Sequence, residues 1–227
     1  MSEPITFFYE SFQNRITYYD VHENGMLYRP DSDEKISFLW RDIEYIEDRP
    51  GDRVDIILNN LKEVPVKYTT NEFPVFLKTI CLRLSDIRKE NFCFQKFPLT
   101  SKYRFHLSIA VSLLVLSLII SFSVSNVLFF LLLTLFVPLG IFFQLQPVSL
   151  TLDNHRLTFH YLHTKKTVDY DEILNIDFVI SNNDYGSTLC ILINLKGREG
   201  ITIKKLEDII VFFIMLQIKL NENIKVC

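Results

Sequence analysis

Three closely spaced histidines, His155, His160 and His163, are the residues of this 227-residue chain that first invite a chemical reading, because clustered imidazoles bind zinc and copper. On an extended strand, however, positions 160 and 163 fall on opposite faces, and no cysteine pair or carboxylate stands at ligand spacing beside them. The pattern is not that of a metal site. Two groups of acids, Asp42/Glu44/Glu47/Asp48 and Asp169/Asp171/Glu172, have the composition for general acid–base work. Neither is accompanied by a nucleophile motif, a glycine-rich phosphate loop or a histidine–cysteine pairing, so both read as solvated strand ends. The four cysteines, Cys81, Cys93, Cys190 and Cys227, form no C-x-x-C pair, and Cys81 sits where a helix would pack it as a buried thiol. No catalytic residue, metal ligand or cofactor is therefore expected, and the chain does not read as an enzyme.

The charges narrow the partners. With 24 Lys and Arg against 27 Asp and Glu the formal net charge is -3, without the basic excess that nucleic-acid binding requires. Basic residues do gather at Arg88, Lys89, Lys102 and Arg104, just before a stretch running from Arg104 to Asp153 that holds no Asp, Glu, Lys or Arg. Inside that stretch lie two apolar runs, Leu107 to Val124 and Val127 to Phe143, separated by Ser125-Asn126. Extended to Phe105 and Gln146, each run reaches about 20 residues, enough for ~30 Å of hydrocarbon. This spacing predicts a two-helix transmembrane hairpin, with Arg88, Lys89, Lys102 and Arg104 as membrane-interface anchors and the bilayer as a partner. The positive-inside rule then predicts a multi-pass protein of a plasma or inner membrane with both termini cytoplasmic. Because no ionisable residue lies between Leu107 and Phe143, the hairpin reads as an anchor and not a transport pathway. The expected division is 1–104, an N-terminal domain with a juxtamembrane linker; 105–146, the hairpin; and 147–227, a C-terminal domain.

The two flanks repeat one pattern. A shift of 130 places Asn24 on Asn154, Leu27 on Leu157, Trp40 on Tyr170, Asp42 on Glu172, Ile43 on Ile173 and Ile46 on Ile176. A shift of 135 then places Val54, Ile56, Leu58 and Asn59 on Leu189, Ile191, Ile193 and Asn194, so the second copy carries a longer loop. Each copy reads as short strands followed by one helix. In the first, the β-rich runs are Ile16 to His22, Met26 to Arg29, Lys35 to Trp40, Arg53 to Asn59 and Val64 to Tyr68. From Glu72 to Arg88 the period changes, and Phe73, Phe76, Leu77, Ile80, Cys81, Leu84 and Ile87 share one helical face, with Asn71 as N-cap. In the second, strands are expected at Val148 to Leu152, Leu157 to Leu162, Thr167 to Tyr170, Thr188 to Leu195 and Gly200 to Lys204, and a helix from Leu206 to Leu220.

The run Ser149 to Phe159, followed by Val168-Asp-Tyr-Asp-Glu-Ile-Leu-Asn-Ile-Asp177, Gly186, Ile191 to Asn194 and a closing helix, resembles a bacterial pleckstrin-homology-like (PH-like) domain. Asn24 to Tyr28 with Phe38 to Ile46 resembles it more weakly. The resemblance implies an α+β fold class with membrane helices: two small antiparallel β-sheet or barrel domains, each capped by a C-terminal helix, flanking the hairpin. It implies no catalytic residues. Phosphoinositide binding is disfavoured, because the loops that would hold a head group, Glu23-Asn24-Gly25 and Asp153-Asn154-His155-Arg156, offer one arginine where polyphosphate needs several donors. The last helix differs from its counterpart: Ile209 to Leu216 is apolar on every side, so something else must cover it, the other domain or a second protomer first and the bilayer surface second, and Phe212 and Met215 are the expected contacts with an oligomer or partner. The function so implied is an integral membrane scaffold or assembly protein acting through protein–protein or self-association. The alternative is lipid sensing or lipid handling at the cytoplasmic leaflet.

Overall fold

In the computed structural model, residues 4–13, 15–31, 34–49, 52–87, 95–98, 112, 115, 147–161, 164–183, 186–204 and 206–224 are described. The period-2 runs of the first repeat form two antiparallel sheets. One holds β1 (Ile5–Glu10), β2 (Ile16–Val21), β3 (Gly25–Arg29) and β4 (Ile36–Leu39), paired in that order. A 3₁₀ turn, Trp40–Asp42, leads to the second, of β5 (Ile43–Arg49), β6 (Arg53–Leu58) and β7 (Glu63–Lys67), and α1 (Phe73–Ile87) follows. The second repeat has the same order. Its four-stranded sheet is β8 (Gln95–Pro98), β9 (Ser149–Leu152), β10 (Arg156–His160) and β11 (Lys165–Asp169); its 3₁₀ turn is Tyr170–Glu172. Its three-stranded sheet is β12 (Ile173–Asn183), β13 (Gly186–Leu195) and β14 (Arg198–Ile203), followed by α2 (Ile209–Ile224). Strand β8, which precedes the charge-free stretch, pairs with β9, which forms its last four residues. The connection from β8 to β9 therefore takes in most of that stretch.

Contacts divide the chain into two compact units. One comprises Met1–Phe92, Asp171–Lys204 and Asp208–Cys227; the other comprises Cys93–Tyr170 and Lys205–Glu207. The first unit thus contains the whole first repeat together with the three-stranded sheet and helix of the second.

Strand β5 was hidden in the sequence by its Ile-x-x-Ile spacing, which has a helical period. A β-bulge between Ile43 and Tyr45 shifts the alternation by one residue, so that Ile43 and Ile46 both face inward and are buried. The same irregularity, between Ile173 and Asn175, buries Ile173 and Ile176 in β12. Both helices are preceded by a residue in the left-handed region, Glu72 at φ 48° and Asp208 at φ 52°, whose carbonyls accept from Phe76 and Phe212. The first core closes around α1. Phe76 meets Phe7 edge-on at 4.9 Å and Tyr19 at 5.3 Å, while the Tyr19 hydroxyl donates to the Pro65 carbonyl at 2.8 Å and so ties β2 to β7. Of the seven apolar residues expected on the inner face of α1, all but Ile87 are buried.

The expected fold class is corrected at its centre. The described architecture is predominantly β, four sheets and two helices, and among the described residues no helix is long and apolar enough to cross a membrane. The longer helix, α2, has 16 residues, which at ~1.5 Å each falls short of a ~30 Å hydrocarbon layer. The expected hairpin, 105–146, lies outside the described residues apart from 112 and 115. The two-helix transmembrane hairpin, and with it the multi-pass localisation with cytoplasmic termini, is accordingly withdrawn. The physical reason is that an apolar, charge-free run states that it leaves water and not what it enters.

Candidate functional site

Of the residues singled out from the sequence, Arg88, Lys89, Lys102 and Arg104 lie outside the described residues. Phe212 and Met215 are described, and both are buried, at 0% and 3% exposure. Helix α2 packs against α1 and β5 of the first repeat and against β13 of its own, and Phe213 stacks on Phe178 of β12 at 4.1 Å. The cover that the all-round apolar helix requires is thus supplied within the chain, and neither Phe212 nor Met215 is presented to a second copy. The contacts are reciprocal: α1 packs on β12 of the second repeat as α2 packs on β5 of the first. A polar chain runs beside them. Lys78 of α1 pairs with Asp177 of β12, Asn175 donates to Asp177 at 3.1 Å, and Asn194 donates to Asn175 at 2.7 Å.

Three of the acids in the two groups make contacts within the fold. Asp42 accepts from the Leu39 N–H at 2.9 Å, Glu172 pairs with Arg198 at 3.2 Å, and Asp48 accepts from the Tyr68 hydroxyl at 2.5 Å. Burial around the Asp48 carboxyl pushes its pKa up; the Tyr68 hydrogen bond opposes that and nearby Asp52 adds to it. Burial, and then the bond to Asp48, hold the Tyr68 proton far above the usual phenol range. One acid escaped sequence reading. Asp55, fully buried on β6, accepts from Arg53 at 3.0 Å and lies 3.6 Å from Arg49. Its isolation inside a β-rich run, Arg53-Val-Asp-Ile-Ile-Leu58, was the available signal, since an inward carboxylate needs cations beside it.

His160 shares a 2.8 Å hydrogen bond with Thr151 across β9 and β10, and burial, then Lys165, then Lys96, lower its imidazole pKa. His155 is exposed and His163 lies outside the described residues. Among the described residues no three His, Cys, Asp or Glu side chains are grouped as metal ligands. Cys81 and Cys190 are buried free thiols, both raised in pKa by burial.

The remaining unassigned feature is a sheet edge. In the sheet β1–β4 the Trp40 N–H donates to Asn24, and His22 donates to Gly25, which fixes which backbone groups point which way. With register Met26↔Phe38 and Leu27↔Ser37, the groups of Ile36 and Phe38 point to β3 and those of Ser37 and Leu39 point outward. The other edge, β1, is sealed where Phe8 N–H donates to the Asn71 side chain at 2.5 Å and Phe8 C=O accepts from Asn71 N–H at 2.9 Å. The side-chain oxygen expected to cap α1 is thus engaged with the sheet. On β4 the Leu39 N–H is held by Asp42, whereas Ser37 is exposed. Two clefts border this strand and the turn after it. One, of about 330 Å³, is lined by Lys35, Ser37, Asn59, Asn60 and Lys62 among others; the second, of about 510 Å³, by Leu39, Trp40, Arg41, Arg83, Asp86 and Ile87 among others. Trp40 of the second is buried, its indole N–H donating to the Glu23 carbonyl at 2.8 Å. No protein-family model matches the sequence, and no curated protein matches it.

Proposed function

We propose that this chain is a non-enzymatic scaffold or assembly protein whose two PH-like modules bind proteins, either a partner or a second copy. The twofold order of four strands, three strands and a helix supports the PH-like reading. The observation that carries the function is the difference between the two edges of the β1–β4 sheet: Asn71 satisfies the outward groups of Phe8 on β1, whereas on β4 the outward-facing residue Ser37 is exposed. Lipid sensing or handling rested on Arg88, Lys89, Lys102 and Arg104, none of them described, and no observation favours it. The test is light scattering of the purified chain, alone and after isolation from its own cells under gentle conditions. A mass above the 26.8 kDa of one chain, from self-association or a stoichiometric protein partner, is expected. A strict monomer with no stoichiometric partner overturns the reading.

A further inference from the structure

The two four-stranded sheets carry different chemistry at matching places on the face turned away from the apolar core. Backbone bonds relate them: His22 to Gly25 and Trp40 to Asn24 in the first answer to Asp153 to Arg156 and Tyr170 to His155 in the second, one residue beyond the 130-residue shift. Asp20 then matches Thr151, Arg29 matches His160, and Thr6, opposite Asp20, matches Lys96, opposite Thr151. In the first sheet this place is closed by charge. Asp20, 7% exposed, accepts from the Thr6 hydroxyl at 2.8 Å and pairs with Arg29 at 2.8 Å. In the second sheet a threonine replaces the acid, and a lysine stands in place of Thr6. We infer that Lys96, His160 and Lys165 hold a phosphate-class dianion on the outer face of the β8–β11 sheet.

The register brings these groups to one place. His160 lies opposite Lys165 on β11, and Lys96 lies opposite Thr151, whose buried hydroxyl is 2.8 Å from His160 Nε2. That bond fixes one ring nitrogen and leaves Nδ1 for a ligand. Lys96 and Lys165 are exposed, and among the described residues neither is in an ion pair. Both lysines depress the imidazole pKa and no carboxylate counters them there, so the field at the ring is positive. The acids of this sheet stand apart. Asp153 pairs with Arg156 at 3.9 Å, and Asp169 lies opposite Arg156, ~13 Å along the strands from His160 and Lys165. Glu207, whose N–H donates to the Pro98 carbonyl, follows the far edge of β8, about 14 Å across the sheet from the ring. Two ammonium groups with an imidazole between them call for two negative charges and several acceptor oxygens, which one phosphate brings and a single carboxylate does not.

The full chain is titrated with inorganic phosphate at constant ionic strength, followed by calorimetry and by NMR of the His160 ring. Phosphate is expected to bind and to raise the His160 midpoint, because a bound anion favours the imidazolium; chloride is not. Sulfate, which stays doubly charged, is expected to bind more tightly as the pH falls through that midpoint. Lys96→Gln with Lys165→Gln should weaken phosphate about tenfold or more, and should raise the His160 midpoint of the anion-free chain. Thr151→Asp supplies the carboxylate that the first repeat has and should abolish binding; should it fail to fold, the lysine variant decides. Vesicles of phosphatidylcholine with and without phosphatidic acid separate the sources of the phosphate. Sedimentation only with phosphatidic acid, lost in the lysine variant, assigns it to a lipid head group, and phosphate binding without sedimentation assigns it to a soluble ligand. No phosphate binding, binding that leaves the His160 midpoint unmoved, or binding undiminished in the lysine variant overturns the inference. The face is not the one on which the protein-binding reading rests, so a strict monomer that binds phosphate loses that reading and keeps this one.

Discussion

Replacing Phe212 by Asp and Met215 by Lys separates a helix that faces a second molecule from one buried in its own chain. On an oligomer surface the pair of charges would lower the mass and leave the fold intact. In this structure Phe212 is 0% and Met215 3% exposed, and α2 is held between α1, β5 and β13. Truncating a buried Phe costs about 3–5 kcal/mol and a buried Met about 2–5 kcal/mol. Burying an unpaired carboxylate or ammonium, or neutralising it, adds several kcal/mol per ion. The sum, on the order of 10 kcal/mol, matches or exceeds the 5–15 kcal/mol by which a domain is ordinarily stable. The double variant is therefore expected to lose near-native circular dichroism and to aggregate. Phe212→Ala should fold but shift its urea transition by an amount worth about 3–5 kcal/mol. Val75→Asp, at a position 54% exposed on α1, should stay within about 0.5 kcal/mol of the parent. A double variant with native dichroism and a cooperative urea transition, changed only in mass, would refute the packing argued for α2.

Two further outcomes are expected. Gly25→Ala places a methyl group 2.1 Å from the Phe38 carbonyl oxygen and 2.9 Å from the Leu39 Cα, both backbone atoms, so urea titration should show a loss of about 1–3 kcal/mol or more; a neutral result would mean that β3 and β4 approach less closely. The second concerns Asp48, whose carboxyl is raised above its ordinary value of 3.8. The folded chain then holds this proton more tightly than the unfolded one, so Asp48's contribution is full below that ordinary value and is lost as pH rises through the raised one. Tyr68→Phe removes the hydrogen bond that opposes the shift, so carboxyl-carbon NMR should find Asp48 titrating higher still; a lower midpoint contradicts the assignment.

Position 25 also shows how repeat and context divide the explanation. Its counterpart by the 130-residue shift is His155, an exposed side chain, so the demand for glycine belongs to the first repeat alone. The aligned pair Trp40 and Tyr170 behaves oppositely. Trp40 donates from its indole N–H to Glu23 O and Tyr170 from its hydroxyl to Asp153 O, at 2.8 and 2.6 Å, so one bond is made with two chemistries. Such substitution is why the repeat was visible by position and character more than by identity.

By itself the sequence determined the two repeats, most of their strands and the inner face of α1, because side-chain period depends only on local backbone geometry. It also showed that α2 must be covered all round. It did not show by what: burial of apolar surface is non-directional, so a pattern reports that a face leaves water and not which surface receives it. Only the tertiary structure placed α2 on the other repeat and paired β8, ahead of the charge-free stretch, with β9 at its end. Strands β5 and β12 needed it too, since a one-residue bulge reverses the alternation by which strands are recognised. The open edge at Ser37 was beyond sequence reading for a related reason, because the direction of a backbone N–H is decided by register with β3, a relation between strands and not a property of either.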